Sequence, residues 1–333
     1  MAYNINNIQL HNLIDLISNK YQTYAPQKYQ GKVVFDLVEN FSDLRLFHQT
    51  IISFKKVLFP NGISKNQNYS SSPSMNFGIN SERSSRLLGS NNKVALLGLH
   101  TCDVHALDIF LKQFTNSDLV PKRNQLFILA VSCKPDDDCF CDIFSANKIT
   151  GFDLYVQQEE DRFSIFVGSA KGKLILDKLA LKESKKEPKI RQIDIHTEID
   201  KNKLEELVSN RKINEEFWQG VSNNCFGCGA CTAVCPLCFC VRQDYQNKLD
   251  SKSKECLAWD SCFADDFFKI SNGFDFKPKN VDRLYNWYHH KFVRTPKEID
   301  QFLCVGCGRC IKACPAHLNI KNILNSLGEK NEG

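Results

Sequence analysis

The reading of this chain turns on residues 225–240, CFGCGACTAVCPLCFC, and on their echo at residues 304–315, CVGCGRCIKACP. Each holds three cysteines separated by two residues, then a fourth after three more, then proline. The first run is Cys225, Cys228, Cys231 and Cys235 before Pro236; the second is Cys304, Cys307, Cys310 and Cys314 before Pro315. A [4Fe–4S] cube asks for one thiolate per iron. Three thiolates in so tight a loop wrap one cube, and the fourth, turned away at the proline, reaches another. Crossed ligation then gives Cys225, Cys228, Cys231 and Cys314 as one set, and Cys304, Cys307, Cys310 and Cys235 as the other. Gly227, Gly229, Gly306 and Gly308 let the backbone come close enough for N–H groups to reach cluster sulfur. Two zinc sites built from C-x2-C pairs are the competing reading, but zinc has no use for the repeated x3-Cys-Pro ending.

Between the halves lie about 70 residues, far more than a compact bacterial-type ferredoxin carries. Their helix-like and loop-like pieces predict a mostly α-helical dicluster ferredoxin domain with a long insertion. Trp259, Trp287 and Phe292 read as core around the cubes. Four more cysteines, Cys238, Cys240, Cys256 and Cys262, fall in or near the insertion. They are either buried thiols supporting the cubes or a candidate further metal site, and C-x-C followed by C-x5-C is no standard ligand run.

The 333 residues include 16 cysteines, and none falls in the first 101 or in residues 142–224. The length suggests two domains. The clustering predicts a break near residue 200, with an N-terminal domain over 1–200 and the ferredoxin domain over 201–333. The charged residues 182–189 read as a linker or an exposed loop. A secreted disulfide framework is a device of short chains with a signal peptide; residues 1–20 show no apolar leader core, and no apolar run approaches a membrane span. The cysteines therefore predict a reducing, cytoplasmic setting and no membrane insertion. A net charge of +5 is too mild for a nucleic-acid binder.

In the first 200 residues, Leu10, Leu13, Ile14 and Ile17 follow helical spacing over 8–19. Residues 32–38 (KVVFDLV), 93–99 (KVALLGL) and 126–131 (LFILAV) read as strands. Cys102 and Asp103 are expected in a turn before a helix over 104–114, with Asp103 as its cap. Residues 152–176 read as an antiparallel meander turning at 159–162 and at Lys171-Gly172. Residues 64–92, rich in Ser and Asn, read as a loop. Residues 136–138 read as a solvated acidic loop. The fold class is thus an α/β (or α+β) N-terminal domain plus the helical ferredoxin domain. Sites in α/β sheets gather beyond the carboxyl ends of strands, where Cys102, Cys133, Cys139 and Cys141 fall. Four thiols there suit a third [4Fe–4S] cluster, a Cys₄ zinc site or structural thiols. Asp103 and His105 are placed to hydrogen-bond such a cluster. No phosphate loop, Rossmann glycine signature or Ser/His/Asp arrangement is present, so no catalytic residue is assigned.

Seven strings in order resemble one family: residues 56–60 (KVLFP), 98–106 (GLHTCDVHA), 133–141 (CKPDDDCFC), 225–240, 259–263 (WDSCF), 290–292 (HKF) and 304–315. The chain resembles the iron–sulfur β subunits of cytoplasmic NADP-linked NiFe hydrogenases (sulfhydrogenases), and the closely similar iron–sulfur subunit of anaerobic sulfite reductases. The resemblance implies two cubes in the ferredoxin domain and a third cluster at Cys102, Cys133, Cys139 and Cys141. It implies a non-catalytic subunit relaying single electrons between a partner that binds flavin (FAD) and NAD(P)H and a catalytic partner, either a NiFe hydrogenase or a sirohaem sulfite reductase. Two features depart from the family: the length of 64–92, and Cys256 where a non-ligand is expected. Rival functions are a redox- or oxygen-sensing iron–sulfur protein and an enzyme with an open iron.

Overall fold

The computed structural model describes residues 2–59, 63–64, 93–117, 120–160, 162–185, 187–188, 199–212, 214–248 and 251–332. The expected loop at 65–92 lies outside them. The described residues divide into two compact units. One gathers those within 1–59, 86–135 and 145–193, the other those within 60–85, 136–144 and 194–333. The break expected near 200 leaves 136–144 with the first domain; the structure groups that segment with the second unit.

The first unit is built on one eight-stranded mixed sheet. Its strands are β1 (Ala2–Ile5), β2 (Gln22–Tyr29) and β3 (Lys32–Leu37). Past the two-residue β4 (Ile63–Ser64) of the other unit come β5 (Val94–His100), β6 (Leu126–Val131), β7 (Leu154–Gln158), β8 (Phe163–Val167) and β9 (Glu183–Ser184). The order is β3-β2-β5-β6-β7-β8-β1-β9. The inner strands β2, β5, β6 and β7 pair in parallel. Every residue of β5 and β6 is buried, as a strand covered on both faces requires.

Helix α1 (Asn7–Ser18) buries Leu10, Leu13, Ile14 and Ile17, the positions its period marks. Its start is fixed by a capping box: the Gln9 amide donates to Asn6 Oδ1 at 2.9 Å, and the Asn6 amide to Gln9 Oε1 at 3.0 Å. These side chains meet Ala95, Leu97, Phe127, Leu129 and Ile165 from the sheet in one apolar core. Helices α2 (Lys55–Leu58) and α3 (Thr101–Gln113) bring a second aromatic group together, with Phe54 and Phe59 each packed edge-on to Phe110.

Three local expectations need correction. Cys102 and Asp103 are not in a turn: β5 runs directly into α3, whose first residues are Thr101, Cys102 and Asp103. No Gly or Pro stands at the junction to make a turn. The cap is His100, in extended conformation, and Asp103 lies buried in the first helical turn. The β7–β8 hairpin turns at 159–162 as expected, but Lys171 and Gly172 lie inside helix α4 (Ala170–Leu176). Gly172 is there for closeness, since a Cβ would strike the Asp153 carbonyl. Ser169 starts this helix, accepting from the Gly172 amide at 3.2 Å. Residues 183–184, read as linker or exposed loop, add an edge strand beside Ala2 and Tyr3.

The second unit holds α5 (Leu204–Ser209), α6 (Glu215–Asn223), α7 (Ala230–Val234), α8 (Asn280–His289), α9 (Thr295–Ile299), α10 (Arg309–Lys312) and α11 (Ile320–Glu332). A π-helical segment, His290–Arg294, continues α8 into α9. The insertion is not wholly helix and loop. Strands β10 (Val241–Lys248) and β11 (Ser251–Trp259) form an antiparallel hairpin, and β4 pairs with β11. The sequence 241–259 is too polar to show an apolar alternation, so backbone pairing made a hairpin that side-chain pattern did not announce. The unit is otherwise helical around the two cysteine loops.

Candidate iron–sulfur centres

The two loops share one backbone design. After α6, the Cys225 amide donates to the Ser222 carbonyl at 3.0 Å, and Asn280 Nδ2 donates to the Cys225 carbonyl at 2.8 Å. The chain then takes positive φ at Gly227 (64°) and Gly229 (72°), and Gly229 becomes the left-handed cap of α7. The second loop repeats this at Gly306 (61°) and Gly308 (74°), with Gly308 capping α10. Such φ values disfavour any side chain. Space forbids one as well: a Cβ on Gly229 would sit 2.8 Å from Ser261 Oγ, and one on Gly308 2.9 Å from the Asp138 carbonyl. Cys231 and Cys310 stand on the short helices, while Cys235 and Cys314 follow them. Backbone N–H groups already point at sulfur, from Gly227 to Cys225, Leu237 to Cys235 and Leu318 to Cys314, each at 3.4 Å.

The thiols meet across the two loops. Cys225, Cys228, Cys231 and Cys314 line one cavity together with Cys310, walled by Phe226, Leu284, Trp287, Tyr288 and Ile320. The thiols felt by Cys225 are Cys314 and Cys228; those felt by Cys304 are Cys235 and Cys307. Burial pushes the Cys231 and Cys304 thiols up to about 12, and Cys310 well above its ordinary value. Thiols so raised stay protonated until a metal's charge draws the protons off. The donor set therefore fits a thiolate-bound cluster: all sulfur, glycine-backed and set among apolar side chains. Among the described residues no group of three or more His, Cys, Asp or Glu is placed to hold a metal ion. A cube differs from an ion in this respect, since each thiolate takes its own iron and the sulfurs need not converge on a point.

Around the loops, Trp287 and Phe292 are buried, Phe292 fully. Lys291 is 3% exposed, and its Nζ donates to Cys235 Sγ at 3.3 Å and to the Leu303 carbonyl at 2.9 Å. Sequence pattern does not single it out; its only signal is its place in the string HKF.

Among the remaining cysteines, Cys262 is buried and hydrogen-bonded to Cys240, with Cys238 and Cys231 as further neighbours; the Cys240 bond and burial both hold its thiol well above the ordinary value. Cys256 lies on β11 opposite Asp244 and Ser64, and its side chain lies outside the described residues.

In the first unit Cys102 opens α3, and Cys133 lies two residues beyond β6. Burial, with the charges of Lys112 and Lys148, lowers the His105 pKa against the pull of Asp108. Cys139 and Cys141 belong to the second unit, in the segment 136–144 that packs on the second loop. There the Phe140 amide donates to the Gly306 carbonyl at 2.8 Å. The acidic residues 136–138 are held rather than simply solvated. Lys312 pairs with Asp136, and Lys321 Nζ donates to the Asp137 carbonyl at 2.7 Å. Burial raises the Cys139 thiol to about 12.

No described helix is long and apolar enough to cross a membrane, and the described cysteines form no disulfide. Residues 224–318 match the 4Fe-4S dicluster domain family. The chain is also 29% identical over 254 residues to the sulfhydrogenase 2 subunit beta of Pyrococcus furiosus, a match covering 72% of this chain and 75% of that one. The likeness read from the motifs thus holds over most of the sequence: this is an iron–sulfur protein similar to a sulfhydrogenase β subunit, with a 4Fe-4S dicluster domain in its second unit.

Proposed function

We propose that the chain is the electron-transfer subunit of a cytoplasmic NiFe hydrogenase of the sulfhydrogenase kind, passing single electrons between a partner that binds flavin and NAD(P)H and the catalytic partner. The observation that carries this is the pair of glycine-capped cysteine loops, whose thiols intermingle in one unit. We assign Cys225, Cys228, Cys231 and Cys314 to one cube, and Cys304, Cys307, Cys310 and Cys235 to the other. Bound clusters would supply the one-electron steps. The chain's own residues do the rest. The loop amides and the lysine at Cys235 donate to thiolate sulfur, apolar side chains surround the thiols, and the crossed fourth cysteines tie the two sites into one body. Cys102, Cys133, Cys139 and Cys141 are carried forward on their sequence pattern as the ligands of a third cluster. Cys238, Cys240 and Cys262 act as supporting thiols; with Cys256 they become a fourth site only if metal analysis finds more than three clusters.

The test is anaerobic purification of the native complex to identify the co-eluting chains, and of the full chain by itself for iron and sulfide analysis and electron paramagnetic resonance after reduction. About eight iron per chain supports two cubes and about twelve supports three. Iron well below eight sinks the reading. Co-elution with a sirohaem reductase instead of a NiFe protein moves the chain to sulfite reduction.

A further inference from the structure

Lysine is rarely buried without a partner, and Lys291 is held from several sides. Its ammonium donates to Cys235 Sγ at 3.3 Å and to the Leu303 carbonyl at 2.9 Å, and lies 5.1 Å from the centre of the Trp287 ring. Its backbone is fixed too, because the Leu303 amide donates to the Lys291 carbonyl at 3.0 Å. The residue sits in the π-helical segment His290–Arg294; such segments are rare and cluster at functional sites. Lys291 continues the buried face that Leu284, Trp287 and Tyr288 begin at helical spacing.

The two ferredoxin halves are otherwise built alike around their fourth cysteines. Cys235 takes the Leu237 amide at 3.4 Å, and Cys314 takes the Leu318 amide at the same 3.4 Å. At Cys314 the surroundings are a cavity walled by Leu284, Trp287, Leu318 and Ile320. At Cys235 an ammonium is added; its field takes in Cys304 of the same proposed set, Cys238, and Cys231 of the other set, but its hydrogen bond goes to Cys235. One side chain therefore makes two sequence-equivalent sites electrostatically unequal.

We propose that Lys291 is a positioning residue that sets the order of the two potentials, making the cube of Cys304, Cys307, Cys310 and Cys235 the one that accepts the electron first. Reduction adds one negative charge to a cluster. A fixed positive charge donating a hydrogen bond to a ligand sulfur stabilises the reduced form and raises the potential. The inference rests on the two-cube reading above.

The experiment uses the full chain, purified anaerobically, in three variants: Lys291→Met, Lys291→Gln and Lys291→Arg. Iron is counted first, and each cube is then titrated by electron paramagnetic resonance. Wild-type protein without two cubes would defeat the proposed function and says nothing against this residue in particular. With the cubes present, Lys291→Met at full iron is expected to move one midpoint potential down and the other distinctly less, with Lys291→Arg returning it toward wild type. Unmoved potentials, or equal movement of both, would overturn the inference. If Lys291→Met loses iron, Lys291→Gln decides, since it keeps a donor without the charge. A lowered potential in one cube supports the proposal; wild-type potentials overturn it. Loss of iron in all three variants makes Lys291 a structural prop and likewise overturns it.

Discussion

The two cysteine loops share a motif and a backbone, yet they live in different surroundings. In the first, Cys228 is exposed and Phe226 stands 72% exposed beside it. In the second, Val305, Gly306, Gly308 and Arg309 are all buried, because the segment 136–144 lies across the loop through Phe140 and Asp138. The motif fixes where thiolates stand; what covers the motif fixes who can reach them. The covered side also carries the lysine bound to Cys235.

The largest expected effect tests the equivalence of the loops rather than their difference. Cys231→Ala and Cys310→Ala each remove the cysteine at the start of a short helix, and each is expected to lose about four iron, one cube's worth. Iron analysis of the two variants checks this. Loss of all iron from one variant and none from the other would show that the loops do not hold separate cubes.

Phe140→Ala separates the loops next. Phe140 is 1% exposed and packs at 6.0 Å, edge-on, against Phe144. Truncating a buried Phe costs about 3–5 kcal/mol. In wild type an iron chelator should strip the cube at Cys225, Cys228 and Cys231 before the other. In Phe140→Ala the two rates should converge, with a lower midpoint in chemical unfolding. Unchanged, sequential stripping would mean that the cover over Gly306 does not govern access.

Much of this is legible from the residues. The repeated Cys-Pro run implies the paired loops, and its glycines imply the positive φ they adopt. The 3.6 period of Leu10, Leu13, Ile14 and Ile17 locates α1, and two apolar runs locate β5 and β6. The contact of Phe140 with Gly306 is not legible, because it joins residues 166 positions apart in sequence by backbone groups, and backbone groups leave no trace in composition. Lys291 escapes notice because a lysine that shares the spacing of Leu284, Trp287 and Tyr288 ordinarily carries its charge out to solvent, and the Cys235 and Leu303 acceptors that hold this one inside come from other segments. The β10–β11 hairpin escapes notice because its mostly polar sequence shows no apolar alternation.

Glycine substitutions probe the same contrast more finely. Gly227→Ala and Gly306→Ala both force a side chain into positive φ, costing about 1–3 kcal/mol. At Gly227 the new Cβ meets the tip of the Asn280 side chain at 3.0 Å, which can give by a few tenths of an ångström. At Gly306 it meets the Phe140 backbone, which cannot. Gly306→Ala should therefore be the more destabilising of the two by at least about 1 kcal/mol, measured by chemical unfolding of the loaded protein. Equal losses would place the cost in φ alone and leave the cover without a part in it.

The smallest effect on the contrast between the loops is expected from acid. His290 precedes Lys291, and burial, then the charges of Arg294 and Lys291, hold its pKa down to about 3. A histidine kept neutral in the folded chain but free to protonate when unfolded contributes stability above its ordinary pKa. That stability declines as pH falls below about 6.5 toward 3, because the unfolded state then binds the extra proton. Between pH 7 and 5 the loss should be on the order of 1–2 kcal/mol. The segment carrying His290 is anchored to Leu303, just before Cys304, so the loss should fall on the covered loop. Acidification to pH 5 should narrow the gap between the two chelation rates, and His290→Phe should keep the gap wide. If His290→Phe tracks wild type at both pH values, the covered loop's protection owes nothing to the charge state of the helix behind it.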